Sequence, residues 1–301
     1  MTPSAAATVA TTEPIQGDGS VRVRGVCCNK SWHLYCPVCC KPLAGVAPPP
    51  PVALPVHLHM YRHPSERIGK STSTHAKVAA FADTTLFVED CKALGANAEI
   101  RRERYPDPSR VLVLFPSEDA KPLTTLPCNS FDTVIVLDGT WKQAKTMYTA
   151  IKHIGFQPVT IGFPDQVVKP AAPPPSTTLP ISANPEATTA KRSTIATDPL
   201  ALIEDSSLST SNADTRPPVT TLFWRFQNLG EHCLSTIEAV YYFFRDHYAT
   251  YMPGVEYDGR YEGLLYYFRM QYETVQGYYR EHPEKSFTQK KANAESYIKY
   301  D

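Results

Sequence analysis

The fold is decided by residues 133–141, which read TVIVLDGTW. The first five residues are aliphatic or β-branched, which is typical of a strand that is buried on both faces of a parallel sheet. The next four, Asp138-Gly139-Thr140-Trp141, are a carboxylate, a glycine, a hydroxyl and a large aromatic residue. A buried strand that ends in a polar turn and leads into a helix is the repeating unit of α/β folds.

Similar segments lie on both sides of this strand. Runs of strand length occupy residues 54–60, 110–115 and, more weakly, 158–163. Helical periodicity covers 73–81, 141–151, 235–246 and 260–279. The alternation predicts an α/β fold with a mostly parallel sheet and flanking helices.

Two proline-rich stretches divide the chain. Eighteen of the 28 prolines lie within residues 37–55 and 158–218. The Pro, Ser, Thr and Ala residues of 166–218 offer too little apolar surface to offset the entropy of ordering, so we predict a disordered insertion there. The predicted parts are a disordered N-terminus at 1–25, a cysteine-rich element at 26–45, a catalytic domain split between 52–164 and 220–280, and a C-terminal tail or helix at 281–301.

The charge balance excludes a general attraction to nucleic acid, because 30 Lys and Arg residues oppose 30 Asp and Glu residues. The first twenty residues lack the basic start and apolar segment of a secretory signal, and no apolar run reaches the ~20 residues of a membrane span. Contacts with RNA phosphates would therefore need local clusters, for which the candidates are Arg62 with Arg67, Arg101, Arg102 and Arg104, and Arg280 with Lys285, Lys290 and Lys291.

A cysteine cluster near the N-terminus predicts a metal site. Cys36 and Cys39 have the two-residue separation of a zinc knuckle. Cys28 is the third predicted ligand, and the fourth is Cys27, His33 or Cys40. The alternative is a set of free thiols.

Two polar junctions follow predicted strands, at the edge where parallel sheets bind ligands. Gly69-Lys70-Ser71-Thr72 resembles part of a phosphate loop, but Pro64 stands where that loop needs its first glycine. We expect Ser71 or Thr72 to cap the next helix, or Lys70 and nearby amides to hold a carboxylate. At the other junction, Asp138 or Thr140 could simply cap a helix, with Trp141 in the core.

Four motifs in order resemble the DTW-domain family, most closely its eukaryotic DTW-domain-1 branch. They are Asp138-Gly139-Thr140-Trp141, His63-Pro64-x-Glu66 with Lys70-Ser71-Thr72, Leu114-Phe115-Pro116, and Phe223-Trp224-Arg225 followed by residues 234–239. The resemblance implies a SPOUT-like, knotted α/β fold. It also implies a transferase that moves the 3-amino-3-carboxypropyl group of S-adenosylmethionine to N3 of a tRNA uridine, in the nucleus or cytoplasm, with tRNA as partner and no obligate protein partner.

The same resemblance implies a set of site residues. The catalytic residues would be Asp138, Thr140 and Trp141, with Asp138 as the base for uridine N3 or as a ligand of ribose hydroxyls or the α-amino group. S-adenosylmethionine would be bound by Lys70, Ser71, Pro116, Ser117, Arg225, Ser235, Thr236 and Glu238. The alternatives are an RNA methyltransferase of related fold and a non-catalytic RNA-binding module that retains the cofactor pocket.

Overall fold

A six-stranded sheet, parallel throughout, forms the centre of the structure, which is a computed structural model. The structure describes residues 27–161, 221 and 234–282, and the backbone of two short strands before residue 27. The strands are β1 Thr12–Glu13, β2 Arg22–Arg24, β3 Ser31–Trp32, β4 Tyr35–Cys36, β5 Lys41–Pro42, β6 His57–Arg62, β7 Thr84–Phe87, β8 Val111–Leu114, β9 Lys121–Pro122, β10 Thr133–Asp138 and β11 Gln157–Thr160.

In the described part of the chain, six α-helices accompany these strands. They are α1 Ser73–Ala79, α2 Cys91–Ala96, α3 Ala98–Arg104, α4 Trp141–Ile151, α5 Thr236–Tyr251 and α6 Tyr266–Glu281. Short 3₁₀ turns lie at Pro108–Arg110, Leu123–Thr125, Lys152–Ile154 and Glu262–Leu265. Within the described residues, no helix is long and apolar enough to cross a membrane.

The strand order in the main sheet is β7-β6-β10-β8-β11-β9, which confirms the predicted α/β fold with a parallel sheet. Strand β10 is central, and its register pairs Thr133 with His57 and Asp138 with Arg62. Because all six strands run in one direction, their carboxyl ends meet at one edge. The knot that the family resemblance implies stays a prediction.

Helices cover both faces of this sheet. Helices α1, α5 and α6 pack on one face around Leu58, Val134 and Phe244. Helices α2 and α4 cover the other face, around Leu94, Ile135 and Met147. The aromatic stripe of α5, which includes Tyr241 and Tyr248, is buried as the helical spacing predicts.

Several element boundaries differ from the sequence prediction. Strand β6 spans 57–62 rather than 54–60, because Pro55 lacks the N–H that a sheet ladder requires. The predicted helix at 260–279 divides into a 3₁₀ turn and α6. Strand β7 and helices α2 and α3 were not predicted. The predicted insertion at 166–218 lies outside the described residues, as does most of the predicted tail at 281–301.

We predict that Phe244→Ala lowers the free energy of unfolding by about 3–5 kcal/mol, because the ring is fully buried and its removal leaves a cavity. Urea denaturation measures this loss. The matched control is Phe81→Ala, which removes a ring that is 56% exposed and packs beneath Lys77. The control should lose about 1 kcal/mol or less. Equal losses from the two variants would contradict this description of the core.

Candidate active site

Asp138 lies at the carboxyl end of β10, and the residue is only 2% exposed. Each carboxylate oxygen accepts a hydrogen bond from a hydroxyl group. Ser71 Oγ donates to Oδ2 at 2.6 Å, and Thr236 Oγ1 donates to Oδ1 at 2.7 Å. These bonds compensate the cost of burying the charge, so Asp138 joins residues that lie 67 and 98 positions away in the sequence.

The loop before α1 meets the first turn of α5 at this point. Ile237 N donates to Thr72 Oγ1 at 3.1 Å, and Ser71 Oγ lies 2.7 Å from Ser73 Oγ. Thr72 occupies the N-cap position of α1, but its side chain makes no capping bond. Thr72 is therefore the N-cap residue, as predicted, but its hydroxyl accepts from Ile237 N instead of from the first turn of its own helix.

Helix α5 begins beside Asp138 with a capping box. Ser235 Oγ accepts from Glu238 N at 3.4 Å, and Glu238 Oε2 accepts from Ser235 N at 2.7 Å. Glu238 is buried, and Thr221 also donates to its carboxylate. These contacts fix the start of α5 and thereby the position of Thr236.

Thr140 and Trp141 follow Asp138 around a tight turn. Thr140 caps α4 in a capping box with Gln143, whose side chain accepts from Thr140 N at 2.7 Å. A Cβ at Gly139 would lie 2.9 Å from Gln143 Oε1 and 3.3 Å from His63 Cβ, so only glycine fits this turn without displacing a neighbour. Trp141 is 37% exposed, which excludes the alternative that it is a core residue.

An aromatic surface continues from Trp141 along the carboxyl edge. The ring centroids of Trp141 and Phe115 are 6.4 Å apart, and Phe115 stacks on Tyr148 at 4.3 Å. Tyr148 also donates to Ser117 Oγ at 3.0 Å, which fixes the loop after β8. Pro116 is exposed beside these rings. We call Phe115 and Trp141 the aromatic edge.

Arg62 ends β6 opposite Asp138 and is 4% exposed. Paired residues of a parallel ladder project from the same face of the sheet, so these two opposite charges share one face. Their side chains form no ion pair, and Nη1 of Arg62 is buried with no hydrogen-bond partner among the described residues. The expectation that Arg62 is a surface phosphate contact is wrong, because so little of it is exposed.

The structure does not bring all predicted cofactor residues to Asp138. Lys70 is exposed in the loop before α1, and Ser117 contacts Tyr148 rather than Asp138. Arg225 lies outside the described residues. Ser71 and Thr236 are therefore the predicted cofactor residues that contact the carboxylate directly.

The cysteine cluster forms one group of thiols. The Sγ atoms of Cys27, Cys28 and Cys36 all lie within 4.8 Å of one another. Cys27 Sγ is 3.1 Å and Cys28 Sγ 3.6 Å from Cys36 Sγ, while a tetrahedral zinc site separates its sulfurs by about 3.8 Å. Cys39 is partly buried and packs against the small apolar cluster of Cys36 and Leu43.

Local structure explains how this cluster forms. Strands β4 and β5 make a hairpin in which Cys40 N donates to Cys36 O at 2.8 Å, and the turn brings Cys39 back toward Cys36. Hydrogen bonding to Cys36 raises the pKa of the Cys27 thiol to about 12. A metal ion would have to displace that proton, because thiolates are the metal ligands.

A lysine-lined groove lies between α2 and α4, and it was not predicted from the sequence. Its lining residues are Lys92, Lys142, Lys145, Thr146, Thr149 and Ala150. Neither helix contains an acidic residue, so the lysine spacing along α4 was the signal that could have revealed it.

By contrast, Arg101 and Arg104 of the predicted arginine cluster bind within the fold, to Gly95 O and to Glu89.

We predict that Thr236→Val lowers the free energy of unfolding by about 1–3 kcal/mol, because it removes one of the two hydroxyls that donate hydrogen bonds to the buried Asp138 carboxylate. Urea denaturation measures the change. The matched control is Thr149→Val on the exposed face of α4, which should change stability by about 0.5 kcal/mol or less. A neutral Thr236→Val variant would show that the hydroxyl does not support the carboxylate.

Comparisons with known proteins agree with this geometry. Residues 33–172 match the family model of the DTW domain. The curated tRNA-uridine aminocarboxypropyltransferase 1 of Xenopus laevis is 26% identical over 263 residues, which cover 82% of this chain and 78% of the relative. The mouse protein of the same name, from Mus musculus, is 24% identical over 284 residues, with coverages of 82% and 75%. No solved structure matches. Residues 33–172 are therefore similar to the DTW domain, as the sequence motifs indicated.

Proposed function

We propose that this protein transfers the 3-amino-3-carboxypropyl group of S-adenosylmethionine to N3 of a uridine in tRNA. The observation that carries the proposal is the junction at Asp138, where Ser71 and Thr236 from distant motifs meet one buried carboxylate. This junction lies at the carboxyl edge of a parallel sheet, where α/β proteins bind their ligands. The names of the two relatives supply the reaction, and a tRNA substrate would place it in the nucleus or cytoplasm.

The reaction makes defined demands on the site. A bond forms between uridine N3 and the γ-carbon of the methionine arm, the bond from that carbon to sulfur breaks, and neutral methylthioadenosine leaves. The N3 proton must pass to a base. Asp138 is the proposed base because it is the carboxylate at the end of the central strand.

The hydrogen bonds of Asp138 are compatible with its proposed role as the base. Each of its oxygens accepts one hydroxyl proton and keeps a second lone pair, so the carboxylate can still accept a proton. The two hydroxyls hold it in one orientation, as a general base requires. If Asp138 instead binds ribose hydroxyls or the α-amino group, the same hydroxyls orient it for that contact.

The aromatic edge and the lysine groove fit the two substrates. Phe115 and the exposed ring of Trp141 offer a flat apolar surface for adenine or for a uracil that is flipped out from between its neighbouring bases. Lys142 and Lys145 follow Trp141 on α4 and present positive charge to RNA phosphates next to this surface. Because the chain has no net charge, binding of RNA phosphates requires such a local patch of positive charge.

We expect the purified protein, incubated with S-adenosylmethionine and unmodified tRNA, to release methylthioadenosine and to add one aminocarboxypropyl group to uridine, measured by nucleoside mass spectrometry. Asp138→Asn should lower the rate about 100-fold or more, because a general base contributes at least that much. The exposed Asp258→Asn variant is the matched control and should retain activity.

Each other outcome has a defined meaning. Release of S-adenosylhomocysteine would identify an RNA methyltransferase. Binding of tRNA and S-adenosylmethionine without any product would identify a non-catalytic module. Full activity of Asp138→Asn would exclude Asp138 as the base while leaving the transferase intact.

We also propose that Cys27, Cys28, Cys36 and Cys39 bind one zinc ion, because three of these thiols already lie within 4.8 Å of one another and Cys39 follows Cys36 at the spacing of a zinc knuckle. Elemental analysis of the purified protein should find about one zinc per chain. Cys36→Ser should lose the metal, while Cys128→Ser, at an exposed thiol outside the cluster, should keep it. Absence of zinc from protein purified under reducing conditions with added zinc would contradict the proposal.

A further inference from the structure

Arg62 places a buried guanidinium near the proposed active site. Its residue is 4% exposed, and its Nη1 atom finds no hydrogen-bond partner among the described residues. The nearest acidic residue in the ladder is Asp138, whose two oxygens are bound by Ser71 and Thr236 instead. Among the residues that the structure describes, this permanent positive charge is therefore buried without an ion pair.

Such an arrangement is costly in the ligand-free protein. A guanidinium that leaves water loses several kcal/mol of solvation unless an anion or other acceptors replace the water. Arginine cannot escape this cost by losing its proton. A buried, unpaired arginine at a ligand-binding edge therefore indicates that the ligand supplies the anion.

The surroundings indicate which anion fits. Arg62 and Asp138 project from the same face at the same edge, so an anion held by Arg62 would lie beside the proposed base. The guanidinium fork matches both carboxylate and phosphate, but an RNA phosphate is carried on a polymer and reaches exposed side chains, whereas the carboxylate of a small ligand can enter a buried site. Lys70, the earlier candidate for this contact, is exposed to solvent, where a charged contact is weaker.

We propose that Arg62 binds the α-carboxylate of the amino-acid arm of S-adenosylmethionine. The inference rests on the proposed function, since it requires that S-adenosylmethionine binds at this edge. It explains how the arm is held with its γ-carbon toward the nucleophile. It also predicts that methylthioadenosine, which lacks the carboxylate, binds more weakly than the substrate and is released.

Isothermal titration calorimetry on the full chain tests this inference with two ligands, S-adenosylmethionine and decarboxylated S-adenosylmethionine. We expect the unaltered protein to prefer the carboxylate-containing ligand by roughly 10- to 100-fold, the usual worth of a charge-assisted hydrogen bond. Arg62→Met should lose this preference by weakening only the binding of S-adenosylmethionine. Arg62→Lys, which keeps the charge but not the fork, should retain part of it.

The control is Arg110→Gln, at an exposed arginine that precedes β8 at the opposite edge and pairs with Asp132. It should bind both ligands as the unaltered protein does. The melting temperature of Arg62→Met should be unchanged or higher, because the variant removes a buried unpaired charge. A marked drop in melting temperature would show that Arg62 is a structural cation and would overturn the inference.

The remaining outcomes separate the two proposals. If the unaltered protein binds S-adenosylmethionine and Arg62→Met keeps the full preference for it, Arg62 does not hold the carboxylate and the inference fails while the proposed function stands. If the unaltered protein binds neither ligand, the proposed function fails and the inference fails with it.

Discussion

The rest of the site depends on the buried carboxylate of Asp138. A buried carboxylate is tolerated only when hydrogen bonds replace the water it loses. Ser71 and Thr236 provide them, and Ile237 N binds Thr72 beside them. The charge therefore joins the central strand, the loop before α1 and the start of α5, and each segment reaches its place only when the others are present.

The two charges at the carboxyl edge are stabilised in different ways, and this difference bears on function. Asp138 is satisfied within the protein, so its position is fixed before any ligand arrives. Nη1 of Arg62 has no hydrogen-bond partner among the described residues, so a bound anion would complete its stabilisation. With Asp138 as the proposed base and Arg62 as the proposed anion site, this arrangement suits a reaction in which one substrate carries the anion and the other loses a proton.

Local patterns predicted the parts of the fold that depend on local chemistry. The apolar run at 133–137 and the Thr140 capping box define β10 and α4, and α4 has the predicted bounds of 141–151. Strand β7 was missed because it is four residues long and half exposed. The burial of Arg62 could not be predicted. A charged residue at the end of a strand is normally expected to be exposed, and only the strand register shows that Arg62 lies beside Asp138. Likewise, nothing local indicates that the Ser71 hydroxyl turns away from its own helix toward a residue 67 positions on.

The separation of Thr236 from Asp138 by 98 residues raises the question of how one contact can depend on so long a connection. For a flexible connection, the free energy of closure grows with the logarithm of its length, so each doubling costs only about 0.6 kcal/mol. A hydrogen bond to a charged group contributes about 1.5–3 kcal/mol, and α5 adds the burial of rings such as Phe244. Packing and hydrogen bonding at the site therefore outweigh the length of the connection. The geometry at Asp138 accordingly depends on the residues that make these contacts, and Ser235 and Glu238 keep the capped start of α5, and with it Thr236, in place.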